Sequence, residues 1–170
     1  LNIWDPEETY PGGFKITNAV KGSRLYDLCE LVGGMGTGTE IKLIASDGYE
    51  TTLPYSSVYT NPSVQARQGD AILAWWGDGQ YVPYYVDGMR LFFTPDDYIY
   101  GQWDMNQTLP STYHHFYYQD GIFYPSCAGL SAKYITTIRI YSEPAAEWSL
   151  ELDGRDIGGM NSSISNTYFE

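Results

Sequence analysis

The chain has 170 residues, 43% of them apolar and 16% aromatic, with a formal net charge of −12 and a pI near 4.3. That length and apolar content suit one domain with a real core, with room for part of a neighbour. So acidic a surface argues against nucleic acid and anionic membranes, which both need clustered Lys and Arg, and no apolar run is long enough for a transmembrane helix.

Residues 1–20 read as loop followed by a short strand, FKITNAV. The opening LNIWDPEETYPGG lacks a methionine and a signal peptide, and reads as a mature or excised segment. In KGSRLYDLCELVGG, Leu25, Leu28, Cys29 and Val32 fall at i, i+3, i+4 and i+7, one face of a helix. Ser23 is the expected N-cap and Gly33-Gly34 the stop. IKLIAS and YETTLP flank Asp47-Gly48, a hairpin signal. SSVYTNPSVQARQG is a polar connection with a helical turn, and AILAWW a buried strand. On a strand, Trp75 and Trp76 face opposite sides. Gly77-Asp78-Gly79-Gln80 turns the chain into QYVPYYV, and MRLFFTP is a strand ending at Pro95.

Residues 96–131 show no sustained period of either kind. They are rich in tyrosine and hold both histidines, so they read as a long aromatic insertion. The strand YITTIRIYS follows. Glu143-Pro144-Ala145-Ala146 reads as a linker, WSLELDG as a further strand, and the tail as the opening of another domain. The expected division is therefore 1–142 for the domain and 143–170 for the linker and the start of a further domain or C-terminal extension.

Three groups of residues carry candidate chemistry. His114 and His115 point to opposite faces if they lie on a strand. In a loop they would form a metal site with Asp96, Asp97, Asp104 or Cys127, or simply pack within the aromatic segment. Trp75, Trp76, Trp103 and Tyr98 either stack on a sugar or peptide ligand or fill a β-core. Cys29 and Cys127 are the only cysteines. In an exported chain they form a disulfide, and otherwise they are two separate buried thiols. Gly33-Gly34-Met35-Gly36-Thr37-Gly38 carries no lysine and is not a phosphate loop. Few lysines, many tyrosines and sequons at Asn106 and Asn161 fit an extracellular or cell-surface protein.

An ordered series of segments carries a resemblance. GSRLYDL with Val32-Gly33 is similar to a helix of the form Gly-x-x-Leu-x-x-Leu ending at a glycine. IKLIASDGYETTLP is similar to a strand pair ending in Leu-Pro, and AILAWWGDGQYVP to Leu-Ala-Tyr-x-x-Asn-Gly-x-x-Leu-Pro. Gly88 to Pro95 resembles Gly-x-Pro-x-Arg-x-x-x-Pro, and Ala132-Lys133-Tyr134-Ile135 a closing Val-Lys-Trp-Leu strand. In this order, residues 21–142 resemble the oxidoreductase molybdopterin-binding domain of the sulfite oxidase family. The resemblance implies an α+β, mostly β fold. It also implies that Arg90 and Lys133 match cations gripping the phosphate of molybdopterin.

The departures bear on function. The family's metal-binding cysteine lies in a Cys-Ala-Gly-Asn-Arg motif upstream of the first helix, where this chain has no cysteine. Cys127-Ala128-Gly129 copies half of that motif in another place. The family's histidine position reads Asp87, a carboxylate expected to repel phosphate. The family joins the two cationic strands briefly, whereas here 42 residues separate Arg90 from Lys133. The expectation is a non-catalytic binding or structural module without a cofactor, part of an exported multidomain protein. Its partners would be a protein, peptide or glycan and the neighbouring domains of its own chain. The alternative is a molybdopterin-dependent oxidoreductase domain holding its cofactor through Arg90, Lys133 and Cys127.

Overall fold

A computed structural model describes residues 19–143 and 146–151. The fold is mixed α and β, with strands predominating. The chain begins with β1 (Val20–Arg24) and α1 (Leu25–Glu30). The hairpin of β2 (Glu40–Ala45) and β3 (Glu50–Pro54) follows, then two short helices, α2 (Tyr55–Val58) and α3 (Pro62–Gln68). Next come β4 (Asp70–Gly77), β5 (Gln80–Tyr81) and β6 (Arg90–Thr94). The aromatic segment supplies α4 (Gln102–Thr108), a 3-10 turn at Ser111–Tyr113, the ribbon of β7 (Phe116–Gln119) and β8 (Ile122–Pro125), and α5 (Cys127–Leu130). β9 (Ile135–Glu143) and β10 (Ala146–Glu151) complete the described chain.

Two four-stranded sheets enclose the main core. In the first, β4 is central, with β1 on one edge and β5 and β6 on the other. The second runs β10-β9-β2-β3, all antiparallel. Alternation along β2 buries Ile41, Leu43 and Ala45 and leaves Lys42 half-exposed, as a strand with one covered face requires. Leu73, Leu91 and Phe93 of the first sheet share one buried cluster with Ile41, Leu43, Leu53, Ile138 and Ile140 of the second. Leu25 and Cys29 of α1, Met105 of α4 and Leu130 of α5 close its ends. Each such side chain contributes about 1.5–3 kcal/mol of hydrophobic stabilisation before the entropy cost of ordering it. A smaller cluster of Ile72, Ala74 and Phe92 lies on the other face of the first sheet.

Several expectations are corrected. α1 is shorter than its apolar stripe suggests, because β1 extends to Arg24 and consumes Ser23. Arg24 is the N-cap, with no capping hydrogen bond from its side chain, and Ser23 Oγ instead accepts from Trp75 Nε1 at 3.2 Å. Only Gln80 and Tyr81 of QYVPYYV pair as strand, and the polar connection before β4 holds two helices. Asn61 caps the second of these, accepting from the backbone N–H of Ser63 and Val64. β10 pairs antiparallel with β9, Trp148 opposite Ile140. Residues 14–18 of the expected first strand, Pro144 and Ala145 of the expected linker, and everything after 151, including the Asn161 sequon, lie outside the described residues. No helix among the described residues is long and apolar enough to cross a membrane.

Candidate functional site

Arg90 opens β6 and Lys133 lies just before β9. They converge although 42 residues of chain separate them, because the backbone N–H of Leu91 donates to the Ala132 carbonyl and that of Ile135 to Met89. Asp87 sits between the two cations. It accepts from Arg90 Nη1 at 2.7 Å and from Lys133 Nζ at 2.6 Å. Arg90 Nε donates to Ser131 Oγ at 3.0 Å, and the guanidinium stacks 4.8 Å from the ring centre of Phe92. Arg90 is 5% exposed, so a buried cation is matched by a carboxylate, a hydroxyl and a ring face. Burial on its own would raise the Asp87 carboxyl. The hydrogen bonds from Lys133 and Arg90 outweigh it and hold the group below the ordinary carboxylate value. The expected role of Asp87 was repulsion of an incoming phosphate. The structure shows it ion-paired with both cations.

The expected metal ligands are not brought together. His114 Nε2 lies 2.8 Å from the Leu109 carbonyl oxygen. His115 turns elsewhere: its Nδ1 is 2.6 Å from Tyr49 Oη and its Nε2 3.5 Å from Thr51 Oγ1. Tyr49 Oη donates to the Gly129 carbonyl at 2.8 Å and Thr51 Oγ1 to the Leu130 carbonyl at 3.1 Å, so the His115 ring lies between two hydroxyls anchored to α5. Burial pushes the His115 imidazole below its ordinary value. Together these contacts latch the aromatic segment and α5 onto β3. Asp97 accepts from Ile99 N, while Asp104 caps α4 through Gly101 N and pairs with Arg67 Nη1 at 2.8 Å. Among the described residues no group of three or more His, Cys, Asp or Glu is placed to hold a metal ion.

Cys127 opens α5, is 1% exposed, and its Sγ donates to the Tyr100 carbonyl at 3.0 Å. Cys29 is fully buried in α1, and burial pushes its thiol up to about 12, with a smaller effect from Glu30. In this structure they are two separate buried thiols, the other of the two alternatives. Arg90 and Lys133 are both engaged by Asp87, and the Cys127 sulfur is buried in the core.

The tryptophans depart from expectation in a useful direction. Lys21 pairs with Trp76 and Gly22 with Ala74, leaving Trp75 as an extra residue in β4. This bulge lets consecutive tryptophans meet the same ring. Trp75 stacks on Tyr81 at 5.8 Å and 6°, and Trp76 meets Tyr81 edge-on at 6.5 Å. Lys21 Nζ lies 4.7 Å over the Trp76 ring. Tyr81 is 57% exposed, and Tyr84 beyond it 80%. The result is an aromatic face at one end of the first sheet. Trp103 and Tyr98 are exposed on the aromatic segment and have no part in it. Tyr81 and Tyr84 were not among the expected residues, although Gly77-Asp78-Gly79-Gln80 places Tyr81 opposite Trp76. Comparison with protein-family models, curated proteins and solved structures finds no match.

Proposed function

We propose that the chain is a non-catalytic binding module on a sulfite oxidase-like molybdopterin-domain fold with a long aromatic insertion. It works within an exported, multidomain protein, outside the cell or at its surface, and takes a protein, peptide or glycan ligand. The observation that carries the reading is Asp87 bonded to both Arg90 and Lys133. A carboxylate from the chain itself satisfies the cations that a cofactor phosphate would need. The order helix, hairpin, β4, β6 and closing β9 supports the fold, as does the convergence of Arg90 with Lys133. The Trp75–Trp76–Tyr81 face supports the binding role, since exposed aromatic clusters are rare without a partner.

The convergence of the two cations also favours a second reading, an oxidoreductase domain that keeps molybdopterin. Elemental analysis and pterin fluorescence on the purified native protein separate the two. No molybdenum, tungsten or pterin, with saturable binding to a glycan or peptide array that Trp76→Ala abolishes, is the expected result. A metal near one equivalent would overturn the module reading.

A further inference from the structure

A second cleft lies away from the aromatic face, where the end of β1, the start of α1, the α2–α3 connection and the first residue of β4 meet. It has a volume of about 310 Å³ and is lined by Arg24, Tyr26, Val58, Tyr59, Thr60 and Asp70. Tyr26 and Tyr59 form its aromatic wall, in edge-to-face contact at 4.9 Å. Tyr55 stacks behind Tyr59 at 4.6 Å and 3°, and Tyr59 Oη donates to Glu30, so that wall is held rigidly. Tyr26 is 41% exposed and offers ring surface to the cleft.

The polar lining is mixed. Asp27 takes one edge of the Arg24 guanidinium, through Nε and Nη2 at 2.8 Å each. The structure gives the third nitrogen, Nη1, no hydrogen bond among the described residues. Asp70 Oδ1 accepts from Gln65 Nε2 at 3.2 Å, and Oδ2 likewise has no partner there. The Tyr26 hydroxyl has no hydrogen bond among the described residues, and the Thr60 hydroxyl is held by the Gln65 side chain. One cleft therefore presents a committed donor, a committed acceptor and a hydroxyl that serves as either. The lining carries one charge of each sign, Arg24 already paired with Asp27 beside the cleft.

We infer that this cleft binds a neutral saccharide ring. A sugar carries hydroxyls that both donate and accept, and an apolar C–H face that packs on an aromatic ring. An anion would meet Asp70 and a cation Arg24, each at a desolvation cost that a neutral ring avoids. The inference concerns a different surface from the Trp75–Trp76–Tyr81 face and stands whether or not that face binds anything.

The test titrates the intact chain with methyl β-glucoside, methyl β-galactoside and methyl α-mannoside, followed by saturation-transfer NMR. Glucosamine and glucuronate serve as charged controls. Saturable binding of at least one neutral glycoside is expected. Tyr26→Ala and Asp70→Ala should each weaken it about fivefold or more, while Trp76→Ala leaves it unchanged. Tyr26→Leu, which keeps the apolar bulk, guards against loss by unfolding. No saturable binding of any neutral glycoside, equal or tighter binding of the charged sugars, or indifference to the cleft substitutions would overturn the inference. Loss on Trp76→Ala alone would place the sugar on the other face and overturn it equally.

Discussion

Asp87 has a side chain only 14% exposed and answers two cations at once. Asp87→Asn leaves the buried Arg90 without its counter-charge and should cost about 3 kcal/mol in urea unfolding. Lys133 is half-exposed and adds little to that sum. The same substitution frees the two cations, so inorganic phosphate should stabilise the variant and not the parent. The pH dependence follows from the directions of the shifts. The folded His115 imidazole lies below its ordinary 6.5, so its contribution is full above that value and is lost as pH falls through the folded pKa. The folded Asp87 carboxyl lies below its ordinary 3.8, so its contribution is lost only in stronger acid. His115→Gln should flatten the first decline in unfolding midpoint, below about pH 6.5, and Asp87→Asn the second, below about pH 4.

The elements show what local pattern can and cannot announce. Alternating apolar residues and Asp47-Gly48 make the β2–β3 hairpin legible, and Gly48 takes the left-handed conformation the turn needs, φ +85°. The ribbon of β7 and β8 uses the same device. Asp120 and Gly121 sit at φ +51° and +84°, as a two-residue hairpin turn requires, yet the segment reads as irregular. Its strands are uniformly aromatic, Phe-Tyr-Tyr-Gln and Ile-Phe-Tyr-Pro, so no alternation frames the Asp-Gly pair. The bulge at Trp75 is invisible for another reason, because it depends on the partner strand. Gly22 lies so close to the Leu73 carbonyl that no side chain fits there. Arg90, Lys133 and Asp87 can be singled out through the resemblance alone, and their ion pairs depend on pairing across 42 residues. One junction is sharply testable. Gly69 ends α3 at φ +66°, and a methyl group there would overlap the Thr94 carbonyl. Gly69→Ala should therefore cost about 2 kcal/mol or more, read from the unfolding midpoint.

At the scale of the whole molecule, two sheets and four helices share one core, and both cysteines lie in it. A thiol reagent should find neither in the native protein and both after unfolding without reductant. Two thiols unreactive even after unfolding would show them oxidised, at odds with the buried thiols seen here. The centre of the second sheet is the pairing of β2 with β9, which sets Ile41 against Ile140. That register has a consequence for the order in which the protein is made. β2 and β3 leave the ribosome roughly a hundred residues before the strand that covers their open edge, several seconds at ordinary synthesis rates. The hairpin waits through that interval with Ile41, Leu43 and Leu53 uncovered, so the second sheet closes only when the domain is nearly complete. Nascent chains stopped before residue 135 are thus the form of this protein that a chaperone would meet.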